Sequence, residues 1–180
     1  MITYIALLRG INVSGKNKIL MADLKQMLLQ LGLSNITTYI QSGNVVFTSD
    51  EVDATVLSEK IQTQILNTFK LDVPVLVIAS STLQTIFKNN PFLAEEEKEI
   101  YFVLLATTPS ATLVSEINKG TYATEKFTIT DYCVYLHCLN GFGKAKCNNN
   151  FFERKLKVQA TTRNYKTMAK LISLCEALEA

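Results

Sequence analysis

Apolar positions along this chain alternate between a strand-like and a helix-like spacing, and the alternation is regular enough to predict elements one by one. Ile2 to Leu8 (ITYIALL) is a short apolar run with β-branched and aromatic members, which predicts a buried strand. Beyond a polar loop, Met21, Leu24, Met27, Leu28 and Leu31 recur at helical spacing, and Gly32 follows as a C-terminal cap. Asn35 to Gln41 and Asn44 to Ser49 predict two strands joined through Ser42-Gly43. Asp50 or Asp53 caps the next helix, whose Leu57, Ile61, Ile65 and Phe69 lie four apart. Val73 to Ala79 predicts a strand, with Pro74 near its start favouring an edge position.

The order is βαββαβ, the split βαβ arrangement of a ferredoxin-like fold. Ser81 to Asn90 predicts a connecting helix stopped by Pro91, and Glu95 to Glu97 an acidic turn. The order then repeats. Ile100 to Ala106 is a strand, and Ser110 caps a helix with Leu113, Val114 and Ile117 inward. Phe127 to Thr130 and Tyr132 to Cys138 are strands turning at Asp131. Asn148 to Lys157 is a helix burying Phe152 and Leu156, and Val158 to Thr161 is a short strand. Asn164 caps a final helix with Met168, Leu171, Ile172, Cys175 and Leu178 on one face. The expected fold is therefore α+β: two tandem ferredoxin-like (α/β-plait) halves with antiparallel sheets, plus a connecting helix and a C-terminal helix. The halves fall at residues 1–80 and 99–180, with 81–98 between them. They repeat in element order only.

Topology places the polar loops. With strand order 4-1-3-2, the first strand ends at the sheet edge where the hairpin joins strands two and three. That sets Arg9, Asn12, Lys16 and Lys18 beside Gln41, Ser42 and Asn44. In the second half, strands three and four are parallel and end at one edge. That sets Lys144 and Lys146 beside Thr161, Thr162, Arg163 and Asn164, where two helix N-termini favour anions. Turn chemistry is the competing account, because Gly, Asn and Ser supply turns and caps for reasons unconnected with a ligand.

Composition adds limits rather than a reaction. The 180 residues are 48 % hydrophobic and 19 % charged, as in ordinary globular proteins. Neither a signal peptide nor a spanning segment is apparent, and four scattered cysteines without CxxC spacing suit reduced thiols, so a cytoplasmic location without membrane contact is expected. Net charge is only +2, but the window from Asn140 to Lys170 carries +7, leaving −5 for the rest. A local basic surface favours an anionic partner, although a solvated helix face accounts for it equally well.

No complete motif supplies a reaction or a cofactor. Gly10 to Asn17 (GINVSGKN) nearly matches GxxxxGK[ST], but Asn17 replaces the hydroxyl that binds magnesium and the sheet is expected to be antiparallel. Gly141-Phe142-Gly143 is too short for a dinucleotide fingerprint. His137 is the sole histidine, expected at the surface or partly buried, and with scattered cysteines it makes a zinc site unexpected. Tyr4 and Phe47 sit where an RNA-recognition module would place stacking aromatics, but its consensus is absent and core packing is the better account.

The segments YIALLRGINVSGKNK, TYIQSGNVVF and FFERKL…ATTRN together resemble a bacterial family of uncharacterised proteins, domain-of-unknown-function family 1697. The resemblance covers nearly the whole chain and implies a pair of ferredoxin-like halves. It implies no activity. The family pattern falls on Arg9, Gly10, Asn12, Lys18, Gln41, Ser42, Gly43 and Asn44, and on Lys146, Thr162, Arg163 and Asn164. Ala145 stands where a serine is usual and Tyr165 where a tryptophan is usual, so position 145 carries no catalytic expectation.

The leading expectation is a binding protein for a phosphate-bearing ligand: a nucleotide, a phosphorylated small molecule or nucleic acid. Arginine suits bidentate phosphate contacts and lysine a point charge. An enzyme acting on a phosphorylated substrate is the second reading, weakened because neither cluster contains a carboxylate, cysteine or histidine to act as base. A protein-interaction module is the third. Catalytic residues, oligomeric state and ligand identity do not follow from the residues alone, and neither a cofactor nor a metal is called for.

Overall fold

The computed structural model describes residues 1–13 and 15–180. Ser14, inside the GINVSGKN stretch, lies outside the described residues. The chain divides into two compact units, Met1–Gln84 with Lys170–Ala180, and Thr85–Ala169.

In the first unit, β1 (Ile2–Leu8), α1 (Met21–Gln30), β2 (Ser34–Tyr39), β3 (Asn44–Ser49), α2 (Ala54–Phe69) and β4 (Val75–Ala79) follow the expected order. The sheet runs β2-β3-β1-β4, with every neighbouring pair antiparallel and β4 at an edge. One face of the sheet sends Tyr4, Ala6, Leu8, Val45, Phe47 and Val77 into a core with Leu24, Met27 and Leu28 of α1 and Leu57, Ile61 and Ile65 of α2. Tyr4 and Phe47 stack there at 5.8 Å between ring centroids, so they are core side chains with no face free for a base.

Helix ends follow the chain's local chemistry. Asp53 caps α2 by accepting from Thr55 N–H at 2.8 Å. At the end of α1, Gly32 takes φ +82°, while Leu33 N–H donates to Leu28 O and Gly32 N–H to Leu29 O. That pairing is the Schellman arrangement, which needs a residue tolerant of left-handed φ.

The second unit contains the end of α3 (Ser80–Lys88), then β5 (Ile100–Leu105), α4 (Ala111–Asn118), β6 (Glu125–Ile129), β7 (Cys133–Cys138), α5 (Asn149–Leu156) and β8 (Ala160–Asn164), with α6 (Tyr165–Glu179) starting from it. Its sheet runs β6-β7-β5-β8, again antiparallel throughout. Val103, Leu105, Val134, Leu136 and Cys138 face Phe152 and Leu156 of α5 and Ile117 of α4. The opposite face receives the segment before β5: Tyr135 donates to Ile86 O at 3.0 Å, and Phe87 stacks on Phe102.

Two expectations change here. The β2–β3 connection is a four-residue loop, Ile40 to Gly43, in place of a two-residue turn at Ser42-Gly43. The last strand is Ala160–Asn164, starting two residues later and ending three later than the apolar count suggests. It pairs along β5 from Leu105↔Ala160 to Tyr101↔Asn164, so ladder hydrogen bonds override the polarity of Thr-Thr-Arg-Asn. Among the described residues no helix is long and apolar enough to cross a membrane.

Candidate functional site

The polar cluster of the first unit forms as the topology requires. Leu7 pairs with Asn44, Leu8 N–H donates to Gly43 O at 2.8 Å, and the chain leaves the sheet at Arg9, whose N–H donates to Pro74 O. From there the loop folds on itself. Asn12 N–H donates to Asn17 O and Lys16 N–H to Val13 O, making a small two-stranded tip with Val13 and Lys16 bridged. Asn17 closes the base, its Nδ2 donating to Gly10 O.

Asn12 clamps this loop to the hairpin. Its Nδ2 donates to Ile19 O and to Gln41 O, both at 2.9 Å, and its Oδ1 accepts from Ile19 N–H at 3.0 Å. With φ +55°, this is a backbone conformation that asparagine tolerates better than most residues. Gly43, at φ +78°, has no space for a side chain. An added Cβ would meet Leu8 Cβ at 2.6 Å and Ile11 Cδ1 at 2.8 Å. The glycine therefore lets the hairpin loop seat directly on the first loop.

The result is a pair of loops tied together by hydrogen bonds, with an exposed polar rim. Lys16, Lys18 and Gln41 are exposed, and Arg9, Asn12 and Ser42 are half-buried. Lys16 and Lys18 meet no carboxylate among the described residues. Asn12, Gly15, Lys18, Ile19, Leu20 and Gln41 line a cavity of about 310 Å³. Asn44 belongs to the scaffold: it is fully buried, with Nδ2 donating to Tyr39 O and Ser42 Oγ.

Sequence reasoning missed the apolar members of this rim. Leu20 and Ile40 stand 69 % and 50 % exposed, and Ile40 has φ +50°. A β-branched residue in that region is strained and signals a constraint from outside local propensity. The available signal was an apolar residue set close to polar turn residues, Leu20 shortly after Asn17-Lys18 and Ile40 before Gln41-Ser42-Gly43.

The second cluster does not assemble as expected. Alternation along β8 sends Thr162 toward α5, where its hydroxyl donates to Asn149 Oδ1 at 2.9 Å. Arg163 points to the opposite face and is buried, Nη1 donating to Thr161 Oγ1 and Thr162 O at 2.9 Å. Because these residues lie in a strand rather than in a loop after it, neighbours face apart. Burial draws the Arg163 pKa down to about 10, which leaves it charged at neutral pH. Asn164 is exposed but committed as the cap of α6, accepting from Thr167 N–H at 2.8 Å. Lys144 and Lys146 stay exposed on the loop after β7. Phe142 stacks on Tyr101 at 4.8 Å in the same loop, and Lys146 N–H donates to Glu125.

His137 corrects a further expectation. It is fully buried, with Nε2 2.9 Å from Glu99 Oε2 and 3.9 Å from Glu95 Oε2, and it lies against the ring of Phe92. Among the described residues no three His, Cys, Asp or Glu side chains converge to hold a metal ion.

The same fold is seen in a conserved bacterial protein, SP0830, from Streptococcus pneumoniae. Its structure superimposes with a TM-score of 0.73 over 97 % of this chain and 98 % of that one, at 23 % sequence identity. No curated protein matches the chain significantly. The model of one family, described as Protein of unknown function (DUF1697), matches residues 1–135, and the chain belongs to that family.

Proposed function

We propose that the protein binds a phosphate-bearing ligand, a nucleotide or nucleic acid, at the paired loops 9–19 and 40–43 of its first unit. The observation that carries this reading is the pairing of a hydrogen-bonded clamp with unneutralised positive charge. Asn12 fixes both loops with three hydrogen bonds while Lys16 and Lys18 stay exposed without a carboxylate partner among the described residues. No acid occurs in the chain before Asp23. With the backbone of the rim tied down in this way, an anion has to order only the lysine side chains. Leu20, which lines the cavity with Lys18, and Ile40 on the hairpin loop offer exposed apolar surface to a base or sugar. Lys144 and Lys146 are not required by this reading.

The same apolar rim favours a second reading, a docking surface for another protein. A thermal-shift screen at low salt separates the two, using nucleotides, sugar phosphates and short single-stranded RNA and DNA. A ligand at one hundred times its dissociation constant stabilises by about 2.7 kcal/mol. That stabilisation is expected in wild type and lost in the Lys16→Ala/Lys18→Ala double variant. A flat screen in wild type rejects the phosphate reading and leaves the docking surface.

A further inference from the structure

The start of β6 holds a buried carboxylate that no part of the loop site uses. Glu125 alternates with Phe127 and Ile129 and so turns toward the helix face of its sheet, where it is only 6 % exposed. Its Oε1 accepts from Lys146 N–H at 2.9 Å, a neutral donor, and the carboxylate helps burial to raise the pKa of the nearby Cys147 thiol. No lysine, arginine or histidine comes within ion-pair distance of it among the described residues. A buried carboxylate is costly unless a positive charge compensates it.

Three further features around it favour that charge. Glu125 walls a cavity of about 320 Å³ together with Asn118, Gly120, Thr121, Tyr122 and Phe127. Tyr122 and Phe127 stand with ring centroids 5.0 Å apart, an aromatic wall whose faces attract cations. Asn118 is the last residue of α4, whose carbonyl end adds partial negative charge, with Lys119 at the C-cap exposed to solvent. Gly120 keeps the wall in place: a Cβ there would meet Tyr122 Oη at 2.5 Å.

We propose that this cavity binds a small organic cation bearing a primary ammonium or guanidinium group, with Glu125 as its counter-ion and Tyr122 and Phe127 as its aromatic wall. The volume is at the small end of ligand pockets, which suits a headgroup with a short chain. The site is chemically opposite to the loop site of the first unit and stands or falls without it.

The test is a titration of the full chain followed by amide nuclear magnetic resonance. The probes are n-butylammonium chloride, methylguanidinium chloride, and sodium chloride and sodium phosphate at matched ionic strength. Saturable shifts of the Gly120 and Thr121 amides are expected with the two organic cations and not with either sodium salt. Glu125→Gln keeps an oxygen to accept from Lys146 N–H and is expected to weaken the response about tenfold or more, as loss of a charged partner does. Gly120→Ala, which displaces Tyr122 without touching the carboxylate, is expected to weaken it as well. It also keeps the test open should Glu125→Gln fail to fold. Unchanged amides in wild type, or equal titrations in wild type and the folded variants, overturn the proposal.

Discussion

His137 Nε2 lies 2.9 Å from Glu99 Oε2, joining the end of β7 to the residue just before β5. The imidazole is fully buried, and its Nδ1 has no hydrogen-bond partner among the described residues. Glu99 is therefore its close polar contact, with Glu95 farther off at 3.9 Å. The pair anchors the 92–99 segment to the sheet in a way that apolar packing alone would leave loose.

Breaking that pair is expected to leave a buried polar ring unsatisfied, a cost of about 1–3 kcal/mol. A double-mutant cycle with Glu99→Ala and His137→Ala checks this by urea unfolding. Residues in direct contact show coupling of about 0.5–3 kcal/mol. Strict additivity of the two single variants would show that the contact contributes nothing.

Gly43→Ala is expected to be far more damaging than Gly10→Ala. At Gly10 an added methyl meets nothing within 4 Å, so only the positive φ is penalised, by about 1–2 kcal/mol. At Gly43 the same penalty adds to collisions with Leu8 and Ile11, and overpacking costs about 1–3 kcal/mol more. Comparing melting temperatures of the two variants decides the point; equal losses would mean that the hairpin loop shifts freely off the first loop.

Asn12→Asp separates the clamp's two roles. The variant keeps the acceptor for Ile19 N–H but loses both donors, to Ile19 O and Gln41 O, and adds negative charge beside Lys18. It is expected to lose about 1–3 kcal/mol of stability and any anion binding with it. Ile40→Asn works in the other direction. Relief of left-handed strain at an exposed β-branched residue is expected to raise stability by roughly 1 kcal/mol, while the apolar rim shrinks. Unfolding curves for both variants, run beside ligand titrations, give the two signs.

How much of this was legible in the sequence differs between the two units for physical reasons. In the first, β1 is a mostly apolar run and β3 carries Val45, Val46 and Phe47, both strands buried on both faces, and the loops between elements announce themselves through Gly10, Gly32 and Gly43. The juxtaposition of Asn12 with Gln41 then followed from strand order alone. In the second, β8 is built from Ala-Thr-Thr-Arg-Asn. Its pairing with β5 is a tertiary fact that polarity conceals, and the displacement turned Thr162 and Arg163 to opposite faces. His137 was misplaced for a related reason, since the carboxylate that makes its burial tolerable lies 38 residues away. Glu125 was legible in principle, because its alternation with Phe127 and Ile129 already put it on the apolar face.

The thiols yield a last prediction, in alkaline solution. Burial pushes Cys138 up to about 12, and Cys147 and Cys175 to about 11, from an ordinary value of 9.0. Burial likewise raises Tyr135 from 10.0 to about 12. Each is an acid whose folded-state pKa lies above its unfolded value, so the folded chain binds more protons between about pH 9 and pH 12. Stability from these groups is complete below about pH 9 and falls as pH rises through their folded values. A tenfold difference in acidity between the folded and unfolded chain corresponds to about 1.4 kcal/mol, so several kcal/mol are expected to be lost by the top of that window. Urea unfolding from about pH 7 to pH 11 measures the slope. A thiol-reactive dye at about pH 8 gives an independent reading: slow labelling in the native state and rapid labelling of four thiols in urea. A flat stability profile above about pH 9, together with prompt native labelling, would show that these cysteines are not held in the core.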